Sequence, residues 1–194
     1  MKKIVCMGDS LTFGYGVRRI RTWTYLAQER LEMEFINCGV NGDTSSGMLS
    51  RFEKEVLSLK PDAVILMGGT NDIIASHTTA ATRNNLMSMA AQAKEAGTKV
   101  LIAVPTGIRV HKVPQEWFAM VPPEVFEREL GSYQEWLRMF GRAFGFAILD
   151  FAKAFETAGE DPDSFYIEGI HWNRKGHERA AQVVCDYFRS CSFS

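Results

Sequence analysis

The chain has 194 residues, 46% of them hydrophobic and 23% charged, with a formal net charge of -1. That length suits one domain around one substantial core, and that composition excludes a disordered or low-complexity protein. The near-neutral balance excludes a nucleic-acid binder that works through bulk charge, and no apolar run is long enough to cross a bilayer.

Residues 3–7 read as a first buried strand, which stops at Gly8-Asp9-Ser10 and gives way to a loop carrying Gly14 and Gly16. The basic cluster Arg18-Arg19-Ile20-Arg21 reads as a solvated helix entrance. From Thr22 the pattern turns helical, with Trp23, Leu26, Ala27 and Leu31 on one face. Residues 33–38 read as a second strand ending at Gly39. The turn-rich stretch after it offers Asp43 or Thr44 as the cap of a helix bearing Met48, Leu49, Phe52, Val56 and Leu59.

Pro61 precedes a third strand over 63–67, which ends in Gly68-Gly69-Thr70-Asn71-Asp72. A helix over 79–96 has Leu86, Met89, Ala90, Ala93 and Ala96 on its inner face, with Gly97 as its stop. Residues 99–104 form a fourth strand, 123–144 a helix with Tyr133, Trp136, Leu137, Phe140 and Phe144 facing inward, and 146–150 a fifth strand. A last helix from about Asn173 turns Ala180, Ala181, Val184, Tyr187 and Phe188 inward. Apolar strands alternating with amphipathic helices imply a doubly wound α/β domain with a five-stranded parallel sheet. Such folds bind ligands beyond the carboxyl ends of their strands.

The unusual polar residues gather at those ends. A serine hydroxyl becomes a useful nucleophile when an imidazole takes its proton and a carboxylate orients the imidazole. An oxyanion needs preorganised donors, each worth about 3–4 kcal/mol in the barrier. Ser10 is therefore the candidate nucleophile, His171 the candidate base and acid, and Glu168, three residues before it, the candidate orienting carboxylate. The Ser10 and Gly39 backbone N–H groups, with the Asn71 side chain, are the candidate oxyanion donors. Asp9 and Asp72 are expected to brace their loops. His177 falls inside the last helix and reads as a surface or helix-packing residue, while His77 and His111 read as ordinary loop residues. Gly14 and Gly16 lack the third glycine of a dinucleotide loop, since position 19 is arginine.

Gly8-Asp9-Ser10-Leu11, the Gly39 turn, Gly69-Thr70-Asn71-Asp72 and Glu168-Gly169-Ile170-His171 resemble the four blocks of the GDSL, or SGNH, esterase/lipase family, in the family order. The resemblance spans nearly the whole chain. It implies a flavodoxin-like three-layer α/β/α sandwich, the roles just assigned, and hydrolysis of carboxylic esters or thioesters with no metal or organic cofactor. The family usually has aspartate where this chain has Glu168, so the carboxylate sits one methylene further out.

The expected protein is a single domain over 1–194, a carboxylesterase or lipase-type acylhydrolase acting on a small-molecule acyl ester. Within the family a carbohydrate O-deacetylase and a lysophospholipase or thioesterase are the alternatives. A non-catalytic binding module and a flavin or nucleotide binder on the same scaffold are the distant ones. Residues 106–124, with Ile108, Val110, Trp117, Phe118, Met120 and Val121, are long and apolar for a connection. Two readings stand for them: packing against the body or a homodimer partner, or a flap whose Trp117 and Phe118 line a substrate pocket. Lys2 and Lys3 precede an apolar run too short for an export signal, so a cytoplasmic location without a stable membrane anchor is expected. Cys6, Cys38, Cys185 and Cys191 show no C-x-x-C pair or metal-ligand spacing and read as reduced thiols.

Overall fold

The computed structural model describes residues 1–119 and 121–190; the expectations for Met120 and Cys191 lie outside the described residues. Five strands, β1 (Lys3–Gly8), β2 (Glu34–Gly39), β3 (Ala63–Met67), β4 (Lys99–Val104) and β5 (Ala147–Asp150), form one parallel sheet in the order β2-β1-β3-β4-β5. This is the flavodoxin-like three-layer arrangement. Alternate strand residues feed opposite cores, which is why the inner strands β1, β3 and β4 read as nearly unbroken apolar runs, whereas the edge strand β2 carries Glu34 and Asn37. Ile4, Cys6 and Ile65 pack with α2 (Trp23–Leu31) and α8 (Arg174–Ser190) through Trp23, Ala27, Val184 and Phe188. Val5, Met7, Val64 and Leu66 pack on the other face with α3 (Ser45–Glu55), α5 (Ala80–Glu95) and α6 (Pro123–Phe144) through Phe52, Met89 and Leu137.

Among the described residues there are also three short α-helices, α1 (Ser10–Phe13), α4 (Thr70–Ser76) and α7 (Phe151–Glu156), and several 3-10 turns. The sequence pattern does not give α4 or α7, because six or seven residues are too few for a helical period to emerge. Two residues expected inside are not. Ala96 lies past the end of α5 and is exposed, and Phe144 stands 52% exposed at the end of α6. Val56 and Leu59 also fall beyond α3, which stops at Glu55. Thr44, rather than Asp43, caps α3, its hydroxyl accepting from the Gly47 N–H at 3.3 Å. Asp43 is engaged elsewhere.

Register brings the reactive segments to one edge. Gly8 at the end of β1 is paired with Gly39 of β2 and with Met67 of β3. The residues that follow each strand therefore emerge side by side at the point where the chain reverses its winding direction, with β2 on one side of β1 and β3 on the other. Cys6, Cys38 and Cys185 are free thiols. Among the described residues, no helix is long and apolar enough to cross a membrane.

Candidate active site

Ser10 opens α1, directly after β1. Asp9 caps that helix, its Oδ1 accepting the Leu11 N–H at 2.9 Å. The first-turn position leaves the Ser10 N–H without an intrahelical acceptor. His171 reaches Ser10 from the far end of the chain: its Nε2 lies 2.9 Å from Ser10 Oγ. His171 Nδ1 bonds Glu168 Oε1, and the same oxygen accepts the His171 backbone N–H at 3.3 Å. The three side chains thus form one hydrogen-bonded series, of which Ser10 and His171 line a cleft of about 210 Å³ together with Tyr15, Asn41, Gly42, Thr70, Asn71 and Trp117.

The His171 loop is pinned on both sides. Trp172 is fully buried against Phe151 and Phe155, and its indole N–H donates to Thr106 Oγ1 at 2.9 Å. Ile170 packs into a small separate cluster with Ile73, Ile108, Val113 and Phe126. Residues 106–119 buttress that loop: the Arg109 N–H donates to Gly169 O at 2.7 Å, and Asp163 accepts from His111 at 2.6 Å and Lys112 at 3.2 Å. These contacts tie residues 108–113 to the body. Trp117 alone of the two expected pocket residues lines the cleft; Phe118 packs against the Ile73–Ile108 cluster instead.

Of the candidate oxyanion donors, Gly39 lies apart from the others. Gly39 is drawn into the β2 edge, where its N–H donates to Asn37 Oδ1 at 2.9 Å. A Cβ on Gly39 would lie 2.1 Å from Phe13 N, so this glycine serves close packing of β2 on α1. It faces a depression shared with Phe13, Arg19 and Thr22, away from the cleft. Three residues on, Gly42 lines the cleft at φ +73, in a turn closed by the Asp43 N–H to Val40 O. That left-handed position suits glycine, and among the described residues the Gly42 N–H has no acceptor. Asn71 stands in the first turn of α4. One of its Nδ2 hydrogens goes to Asp43 O at 2.9 Å, which orients the amide and leaves the second hydrogen for a ligand.

Arg51, which the sequence pattern passes over, ties these segments together. Its guanidinium donates to Gly8 O at 3.1 Å, to Cys38 O at 2.8 Å and to Asp43 Oδ2 at 2.8 Å. One side chain thus joins the ends of β1 and β2 to the turn that carries Gly42. Asp72 does the same for α4 and α3, accepting from the Ser45 N–H at 2.9 Å and the Ser45 hydroxyl at 2.5 Å.

Two buried groups behind the site titrate in opposite senses. Burial pushes the Asp9 carboxyl up to about 7, with the neighbouring Asp43 and Asp72 charges adding to the rise and the Leu11 N–H opposing it. His177 is 1% exposed, accepts the Trp23 N–H at 3.2 Å, and is lowered to about 4 by burial. Between pH 6.5 and about 4 the unfolded chain protonates His177 and the folded one does not, so this term loses stability as pH falls. Between 3.8 and about 7 the folded chain holds a proton on Asp9 that the unfolded one has released, so this term loses stability as pH rises. The two swings, on the order of a few kcal/mol each, oppose one another in the wild type. Urea unfolding at about pH 4.5 and about pH 6.5 is expected to show His177→Gln losing stability with rising pH and Asp9→Asn losing it with falling pH.

A doubly wound α/β/α protein with serine, histidine and carboxylate in series at its switch point has the build of a serine hydrolase. The chain belongs to the GDSL-like lipase/acylhydrolase family, whose model matches residues 6–179. Among curated relatives it is 34% identical over 104 residues to esterase TesA of Pseudomonas aeruginosa, covering 51% of this chain and 52% of that protein. It is 27% identical over 106 residues to an arylesterase of Vibrio mimicus, covering 52% and 53% respectively. The match thus spans about half the length of these relatives. The solved lipase/acylhydrolase of Enterococcus faecalis superposes with a TM-score of 0.78 at 27% identity, over 98% of this chain and 96% of that one.

Proposed function

We propose that this chain hydrolyses carboxylic esters through an acyl-Ser10 intermediate. The observation that carries the proposal is the 2.9 Å approach of Ser10 Oγ to His171 Nε2, with Glu168 on the other ring nitrogen. In acylation, Oγ bonds to the ester carbonyl carbon as its proton passes to Nε2. The imidazolium so formed is stabilised by the Glu168 carboxylate, which also holds Nδ1 as the protonated nitrogen. The developing oxyanion is met by the Ser10 and Gly42 backbone N–H groups and by the Asn71 amide. The alcohol then leaves with the Nε2 proton, and water, activated by the same imidazole, releases the acid. No step in this sequence calls for a metal or organic cofactor.

The proposal is tested by hydrolysis of p-nitrophenyl acyl esters together with labelling by a serine-directed fluorophosphonate. The label is expected on Ser10, with turnover lost in step with labelling. Labelling at another serine, or full turnover after Ser10 is labelled, would overturn it. Asn71→Ala is expected to lower kcat by about 10²–10³ while changing KM little, because the amide acts on charge that develops only in the transition state. Steady-state kinetics on p-nitrophenyl acetate measure that split.

A further inference from the structure

The two flanks of Ser10 differ in chemistry. On one, Asn41, Gly42, Thr70 and Asn71 present polar groups. On the other, the His171 imidazole stands between two aromatic rings. The Tyr15 centroid lies 4.4 Å from the imidazole centroid at an interplanar angle of 40°, and the Trp117 centroid lies 6.0 Å away at 76°. Both rings line the cleft, yet Tyr15 remains 48% and Trp117 41% exposed. Ile167, also exposed, extends this surface. It covers Gly16, where an added Cβ would meet its Cδ1 at 2.4 Å, and its N–H donates to His171 O at 2.8 Å. Single exposed apolar residues are ordinary, but two exposed aromatic rings set against one imidazole in the cleft mark a surface that a ligand covers.

The chemistry fixes which half of an ester faces this surface. The proton that Nε2 takes from Ser10 is delivered to the alcohol oxygen as the bond between that oxygen and the carbonyl carbon breaks. The leaving oxygen must therefore come within hydrogen-bond reach of His171 Nε2, and its substituent runs out along the imidazole's flank. The carbonyl oxygen points the other way, to the polar donors. We infer that the Tyr15–Trp117 flank is the alcohol subsite and that it takes esters of flat, apolar alcohols, aromatic ones foremost. Tyr15 and Trp117 are then specificity-determining residues. The inference rests on Ser10 acting as the nucleophile.

Once the acyl-serine has formed the alcohol is gone, so an alcohol subsite acts on kcat/KM and not on release of the acid. Three esters separate the cases. Benzyl acetate carries its ring on the alcohol, ethyl phenylacetate carries it on the acid, and ethyl acetate has none. Benzyl alcohol and ethanol are of similar acidity, so the chemical step is matched between the two acetates. For Tyr15→Ala and for Trp117→Ala, the loss in kcat/KM on benzyl acetate is expected to exceed the loss on either ethyl ester by about tenfold or more. Tyr15→Phe, which keeps the ring, is expected to keep the preference. Equal losses on all three esters, or the largest loss on ethyl phenylacetate, would overturn the alcohol subsite while leaving Ser10 in its role. If Ser10→Ala hydrolyses these esters as fast as the wild type, the nucleophile assignment falls and the subsite falls with it.

Discussion

Ser10→Ala is expected to lower kcat for ester hydrolysis on the order of 10⁵-fold, His171→Ala by a comparable factor, and the double variant by no more than either alone. The reason is geometric. Without the imidazole at 2.9 Å, the Ser10 hydroxyl keeps its proton and is a poor nucleophile; without the hydroxyl, the imidazole has nothing to activate. Each substitution removes the same step, so removing both removes it once. The activity left over would be what the oxyanion donors and substrate positioning supply to attack by water. Both side chains are buried, and circular dichroism at matched concentration checks that the variants remain folded. Losses that multiply in the double variant would mean that Ser10 and His171 act in separate steps, which the series described here does not allow.

Glu168→Gln is expected to lower kcat by about 10⁴-fold, more than Glu168→Asp. Glu168 Oε1 accepts from two donors at once, the ring Nδ1 and the backbone N–H of His171. A glutamine keeps the shape but can present an N–H to Nδ1, which favours the tautomer with its proton on Nε2, the wrong nitrogen for a general base. It also carries no charge to stabilise the imidazolium. Aspartate keeps the charge and loses one methylene of reach, so it sits between the two. The comparison is made from kcat on a single ester at the pH optimum of the wild type. A glutamine variant as active as the aspartate variant would show that charge at position 168 does not matter.

The sheet was legible in the sequence because both its faces are buried, leaving stretches such as 63–67 and 100–104 as uninterrupted apolar runs. The long helices were legible from their period. The gathering of Ser10, His171, Glu168 and Asn71 followed from their places after strand ends and on a loop before the last helix. What remained hidden depends on side chains meeting across the fold. Gly39 and Gly42 share one turn-rich stretch, and the choice between them rests on pairing: β2 continues to Gly39 opposite Gly8, so the amide facing the cleft comes three residues later. Nothing in the sequence reveals that Asn37 occupies the Gly39 N–H. Arg51 makes a local i,i+4 contact with Glu55, yet its other hydrogen bonds reach strand-end carbonyls far away in the chain, which no local spacing reveals. Trp117 and Phe118 are adjacent in a short 3-10 turn, where neighbouring side chains diverge, so one enters the cleft and the other the packing.

The proposed nucleophile and its base are 161 residues apart in the chain. No segment shorter than that can contain both, and the sheet between them is made wholly of parallel, non-local pairings, which form slowly because a long loop must close before any contact rewards it. The residues after β5 must dock before His171 can reach Ser10. During synthesis or refolding, the hydrolytic chemistry proposed here therefore arrives last, after most secondary structure, and partly folded chains carry an exposed serine with nothing to activate it. Ester turnover becomes a measure of how many molecules have completed the fold, a stricter one than any spectroscopic signal from the helices.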